Sequence, residues 1–202
     1  MKIIWYGHSC FAVEADGSTV VCDPYKKGTV PGYAPLSLTA DAVYCSHEHD
    51  DHNGRETVTL SGNESNISVQ ELNTFHDDKK GRLRGENIIR VFSAEGMRVA
   101  HLGDLGCEPE PEQMEQLKDL DAILIPVGGF FTINAKEAKT LIDKLKPRVV
   151  IPMHYRTPGH GFAVIEKADK FLKLCDNVIK YDTNVFELTK ETPAQTAVLS
   201  YG

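Results

Sequence analysis

The sequence predicts an α/β fold, and three observations predict it. Short β-branched or alternating apolar runs crowd the first half of the chain. In the second half, helical and strand patterns alternate, which predicts a sheet covered by helices on its outer face. Four polar residues, His47, His76, Asp104 and His154, each follow the end of an expected strand, where a scaffold commonly displays its chemistry.

Residues 2–6 and 10–14 read as strands joined around Gly7-His8. Asp16-Gly17 is a hairpin turn signal, and the strand after it, 19–22, stops at Asp23-Pro24. Residues 25–39 carry two glycines and two prolines and read as loop; 41–45 is a short apolar strand running into a histidine cluster. No helical period spans 55–65. Residues 67–74 alternate as a half-buried strand, 77–86 form a polar loop, and 87–92 and 97–102 are strands meeting at Glu95-Gly96. Helices are expected over 111–120, 134–145 and 162–174. The second has Asn134 and Glu137 in a capping-box pattern and an apolar stripe of Ala138, Leu141, Ile142 and Leu145. Strands are expected at 122–125, 148–152, 177–181 and 185–188.

A chain of 202 residues with 41% apolar and 25% charged residues suits one domain, here residues 1–202, with a sizeable core. The start lacks the apolar stretch of a signal peptide, and no apolar run approaches the ~20 residues that cross a bilayer, so no membrane association and a cytoplasmic location are expected. Five cysteines without a C-x-x-C pair read as reduced, mostly buried hydrophobes. A net charge of −7 argues against a nucleic-acid partner; a small-molecule substrate is expected instead.

The run His47-Glu48-His49-Asp50-Asp51-His52 carries the chemistry. Neutral imidazoles and carboxylates are donors for hard or borderline divalent ions. The first two histidines can address one ion, and the Asp-His pair after them a second, with ~3.5–4 Å between ions in hydrolytic pairs. Ions that close need a shared carboxylate to offset their repulsion. A merely solvated polar loop would not explain why an apolar strand feeds the run into Asn53-Gly54.

The pattern resembles the metallo-β-lactamase superfamily. The residues that carry the resemblance are Asp23 at a strand end, the H-x-H-x-D-H run, His76 in Thr74-Phe75-His76, Asp104 in Leu102-Gly103-Asp104, and His154 in Pro152-Met153-His154. It is nearest to the small stand-alone branch of ascorbate-lactonase-like proteins and uncharacterised metal-dependent hydrolases. The resemblance implies a four-layer αβ/βα sandwich. It implies His47, His49 and His76 on one ion, Asp51, His52 and His154 on a second, Asp104 bridging both, and Asp23 orienting a ligand from behind. Only 23 residues separate His52 from His76, so the helix that often follows the first motif is expected to be lost.

The expected activity is hydrolysis of a small anionic ester, lactone or phosphodiester by a hydroxide bridging two divalent ions, with Asp51 passing the proton to the leaving group and Asp104 coupling the ions. Zinc is the first choice of metal; manganese and iron suit the same donors. The alternatives are a metal-containing binding or regulatory module and a di-iron redox protein. His8 is placed behind the metals or against substrate, His101 in a non-ligand role, and His160 on an exposed loop. Substrate contacts are expected from Lys79, Lys80 and Arg156, cations near the metal motifs, and from Phe130 in the glycine-rich segment 126–132.

Overall fold

The computed structural model describes residues 1–201. In chain order the elements are β1 (Lys2–Trp5), β2 (Phe11–Ala15), β3 (Ser18–Cys22), β4 (Leu38–Ala40), β5 (Ala42–Tyr44), β6 (Val58–Leu60), β7 (Ser68–Phe75), β8 (Glu86–Ala94), β9 (Met97–His101), α1 (Pro111–Gln116), β10 (Ala122–Pro126), α2 (Ala135–Leu145), β11 (Val149–Met153), α3 (Asp169–Leu172), β12 (Val178–Lys180), β13 (Val185–Glu187) and β14 (Gln195–Val198). Two sheets face each other. One has the order β13-β1-β2-β3-β5, the other β12-β14-β11-β10-β9-β8-β7.

Side-chain alternation assigns the layers. Along β1 and β2, Ile3, Trp5 and Phe11 face the second sheet, while Ile4 and Ala12 face outward. Strand β10 is buried at every position, as a strand covered on both faces must be. Helix α2 provides one cover, through Ala138, Leu141, Ile142 and Leu145, and the first sheet provides the other. The helix also forms the crossover that makes β10 and β11 parallel. Its start is the expected capping box: Asn134 Oδ1 accepts from the Lys136 and Glu137 amides, and Glu137 accepts from the Asn134 amide.

The outer face of the first sheet is covered without a helix. Tyr25, Val30, Tyr33, Ala40 and Val58 pack on Ile4, Ala12 and Val21. The helix after the histidine run is absent, as its short spacing implies; a single 3-10 turn, Arg55–Thr57, leads into β6. Strands β4 and β6 pair in parallel, Leu38 opposite Val58, inside stretches expected to be loop or irregular. The pairing joins residues far apart in sequence, so local pattern could not announce it. Strand β14 was equally hidden, in a threonine-rich tail, and inserts between β11 and β12.

Two helices are shorter than expected. Helix α1 ends at Gln116, because Leu117 and Leu120 turn into the core. The helix expected over 162–174 is confined to Asp169–Leu172. Its N-terminal part spends its backbone elsewhere: the Glu166 amide donates to Gly128 O, and Glu166 O accepts from the Arg156 amide.

Phe92 crosses between the sheets, packing from β8 against Val13, Ala15, Val20 and Cys22 of the first. Truncation of this fully buried ring, Phe92→Ala, is expected to destabilise the fold by about 3–5 kcal/mol in urea unfolding. Leu83→Ala, at a largely exposed side chain, should change stability by less than about 0.5 kcal/mol. Equal losses in the two variants would refute this division of the core.

Candidate active site

The parallel pairing of β3 with β5 sets Cys22 beside Tyr44 and so places Asp23 against the start of the histidine run. The Asp23 carboxylate is buried and accepts three hydrogen bonds: from the Ser46 amide and the Ser46 hydroxyl, both at 2.6 Å, and from His52 Nδ1 at 2.8 Å. These bonds set the tautomers. A carboxylate only accepts, so Ser46 Oγ donates to Asp23 and must accept from His47 Nδ1, 2.9 Å away. Nδ1–H is thereby placed on both His47 and His52, so that Nε2 of His47, and of His52 once a cation displaces its proton, is the atom that faces the site as a lone-pair donor. The run then turns tightly, with the amides of His52 and Asn53 both donating to His49 O at 2.9 Å. The turn keeps His49, Asp51 and His52 on one side.

Three further strand ends complete the cluster. His76 follows β7, Asp104 follows β9 and His154 follows β11. Gly106 must lack a side chain here, since a Cβ would lie 2.2 Å from the His76 carbonyl carbon. Asp104 is held by its amide, which donates to Asn87 Oδ1 at 2.9 Å, while the Asn87 amide nitrogen is bonded to Thr74 Oγ1 and Leu102 O. Its carboxylate occupies the centre. Oδ1 is 3.2 Å from His52 Nε2; Oδ2 is 3.3 Å from His76 Nε2, 3.2 Å from His154 Nε2 and 4.0 Å from His47 Nε2.

Donor atoms fall into three groups close enough to hold a metal ion: His47 with His49 and His76; His47 with His52 and Asp104; and Asp51 with His52, His154 and His8. All seven expected ligands are therefore brought together. The donor set fits cations for a second reason. His47 Nε2, His52 Nε2, His154 Nε2 and Asp104 Oδ1 are buried without a hydrogen-bond partner. A native interior satisfies such atoms or binds something with them.

Charge agrees with geometry. Burial, reinforced by the neighbouring His52, pushes His47 down to about 3 and keeps it neutral. Burial would also lower His52, but the carboxylates of Asp104, Asp51 and Asp23 outweigh it and hold His52 well above the ordinary imidazole value. Burial opposes ionisation of Asp104, yet His154 and His52 hold its carboxyl well below the usual range. Without an ion, one imidazolium proton carries positive charge that three carboxylates call for; a divalent cation meets the same demand.

His8 lies closer to the cluster than a residue merely behind the metals. It is fully buried, its Nε2 is 3.2 Å from Asp51 Oδ2, and its ring stands 4.2 Å from that of His154. Its carbonyl accepts from Trp5 Nε1 and from the His154 amide. Burial, with His154 beside it, lowers His8 to about 4. His101 is tied to backbone: Nε2 donates to Ser9 O at 2.8 Å and Nδ1 accepts from the Gly103 amide. His160 corrects the expectation of exposure, since it is half-buried against Tyr33 and Tyr201.

Of the expected substrate contacts, Lys79 is paired with Asp78 and Lys80 is exposed. Arg156 Nε donates to Ile165 O, and the side chain lines a separate cavity with Tyr155 and Lys180. Phe130 is exposed at a loop tip. Sequence reading missed Ser46, Asn87 and Asp77. Asp77 accepts from the amides of Lys79, Gly81, Leu83 and Arg84 and so shapes the loop after His76. Ser46 and Asp77 each adjoin a motif histidine, which was a signal; Asn87 lies inside a strand far from any motif and gave none. The five cysteines are free, as expected. No described helix is long and apolar enough to cross a membrane.

Comparison with known proteins agrees with this geometry. A family model described as a beta-lactamase superfamily domain matches residues 2–154. A UPF0173 protein of Pyrococcus abyssi is 28% identical, covering 81% of this chain and 87% of its own length. A UPF0173 metal-dependent hydrolase of Methanopyrus kandleri is 29% identical, with 78% and 85% covered. Among solved structures, a protein of Thermotoga maritima described as a Zn-dependent hydrolase of the metallo-beta-lactamase superfamily is 35% identical, covers 98% of this chain and 97% of its own, and superposes with a TM-score of 0.78. On its fold, its histidine–aspartate cluster and these relatives, the chain belongs to the metallo-β-lactamase superfamily and is a metal-dependent hydrolase.

Proposed function

We propose that the enzyme is binuclear and cleaves a small anionic ester, lactone or phosphodiester. The observation that supports this reading best is the place of Asp104, whose two carboxylate oxygens face different histidines within 3.2–3.3 Å. In this reading His47, His49 and His76 hold one ion, Asp51, His52 and His154 hold the other, and Asp104 is shared. Zinc suits the donors, and manganese or iron is compatible with them. The ions, when bound, supply Lewis acidity and lower the pKa of water towards neutrality.

The chain's own groups do the rest. Asp23 holds His52 directly, and His47 through Ser46, in the metal-binding tautomer. Asp51 is half-buried, and His8 fixes one of its oxygens. The other oxygen would take the proton released by the attacking water and deliver it to the leaving group. Lys80, Arg82 and Arg84 follow His76 and have no ion pair among the described residues, whereas Lys26 and Lys79 are paired with Asp50 and Asp78. The unpaired cations draw an anion towards the cluster.

Elemental analysis of metal-loaded protein should give close to two ions per chain. Asp104→Ala should lose both and reduce hydrolysis at least a thousandfold. A reproducible value of one ion for the wild type would defeat the binuclear reading.

Asp23→Asn removes the carboxylate that sets two imidazoles without touching a metal donor. Metal affinity, measured by competition with a chelator, should fall about 10–100-fold. Unchanged affinity would mean that the tautomers are set elsewhere.

The double variant Lys80→Ala/Arg82→Ala should keep full metal content and show a lower kcat/KM on an anionic substrate at low ionic strength. Its activity should respond less to added salt than the wild type's does. Identical salt curves would exclude steering by this loop.

A further inference from the structure

The glycine-rich segment after β10 is left unused by the metal chemistry, and its construction points to a use. Its base is pinned to the site. Gly128 sits where a Cβ would lie 2.1 Å from His154 O, Gly128 O accepts from the Glu166 amide, and the Ile133 amide donates to Leu105 O. Gly128 and Asn134 form a bridge that closes the loop. At the tip stands Phe130, with φ of 62° and a side chain 64% exposed. A bulky residue in the left-handed region carries strain, and an exposed aromatic ring gains nothing from burial.

Phe130 is not an isolated exposed hydrophobe. With Val164 and Leu174, both also exposed, it lines a groove of about 640 Å³ that Lys136, Glu166, Lys170 and Lys173 also line, within the size range of ligand pockets. An aromatic row connects this groove to the cluster. The Phe162 ring lies 5.6 Å from His8, Phe131 lies 6.1 Å from Phe162, and Phe130 lies 4.8 Å from Phe131. Arg84 braces the row, its guanidinium 5.8 Å over Phe131 and bonded to Phe130 O at 3.0 Å.

We propose that this groove takes the apolar, non-reacting part of the substrate, so that the enzyme favours esters carrying an extended alkyl chain. The proposal rests on the hydrolase reading above and adds the substrate's second half. Continuity argues for a substrate rather than a macromolecular partner: the row starts at His8, in contact with Asp51 and His154, and ends in the groove. Remote apolar binding of this kind can be used to hold the reacting bond in place.

The test compares p-nitrophenyl acetate, butyrate and octanoate on zinc-loaded enzyme, and measures decanoate binding to chelator-treated protein by calorimetry. The wild type should show kcat/KM rising along the ester series. Phe130→Ala and Leu174→Ser should each lower the octanoate-to-acetate ratio and weaken decanoate binding, by about tenfold for Phe130→Ala. Leu60→Ser, at an exposed leucine remote in sequence, serves as the control and should change neither. A flat series, or a ratio that survives Phe130→Ala, overturns the groove while leaving the hydrolase reading intact. If no ester is hydrolysed, the ester part of the proposed function is what fails, and lactones and phosphodiesters remain its substrates; Phe130-dependent decanoate binding then still supports the groove, and absent binding overturns it. Concentration-dependent dimerisation abolished by Phe130→Ala would make the groove a self-association surface and also overturn the proposal.

Discussion

A carboxylate can stay ionised in a protein interior only where cations or donors surround it. Asp104 is such a group: buried, ionised, and approached by imidazole nitrogens on both of its oxygens. The rest of the site follows from stabilising that charge. Three histidines from distant parts of the chain must come within hydrogen-bonding range of one side chain: His76 and His154 do so from strand ends, and His52 from the turn that follows β5. The two-sheet core supplies the rigidity. Without a fixed β10 and β11, His154 would have no defined position relative to Asp104.

The second layer of control lies behind the donors. Ser46 looks unremarkable in sequence, yet its single hydroxyl proton decides which nitrogen of His47 faces the site. Asn87 and the His8 carbonyl act on the backbone instead, accepting from the amides of Asp104 and His154 and so fixing where those side chains start. These contacts involve no charge change and little surface. They work because a lone pair pointing a few tens of degrees away does not bind the same ion.

The residues that gather in the cluster were legible in the sequence because chemistry restricts them to few residue types in a fixed order. His47 through His52 cannot be mistaken for a core pattern, and the resemblance supplied the partners of that run. The two sheets were legible in outline for the same reason that β10 was found: continuous apolar residues bounded by turns mark a buried strand. The β4–β6 pair was not legible, since its strands have three residues each and owe their existence to one another. Nor was the loss of helix in 162–168, a sequence compatible with a helix whose backbone bonds are instead made to Gly128 and Arg156. Tertiary partners override local propensity most readily where the segment is short.

Among the described residues, ten non-glycine residues take positive φ; six lie in turns and caps away from the site, and three stand at the cluster. His8, Asp23 and His154 all have φ near +50°, a region that non-glycine residues enter at a cost of about 1–2 kcal/mol each. Each stands at or just beyond a strand end, where continuing in extended conformation would carry the side chain along the strand direction. The left-handed turn redirects it. Hydrogen bonds hold two of these turns directly: the Asp23 amide donates to Tyr44 O, and the His154 amide to His8 O. Phe130 shares the conformation without sharing the surroundings, since its ring faces solvent. The three buried residues are offset by the contacts their side chains make at the cluster. The exposed one is held by the Arg84 bond to its carbonyl and by the edge of Phe131, and an apolar ligand lying in the groove beside it would cover the rest of its ring.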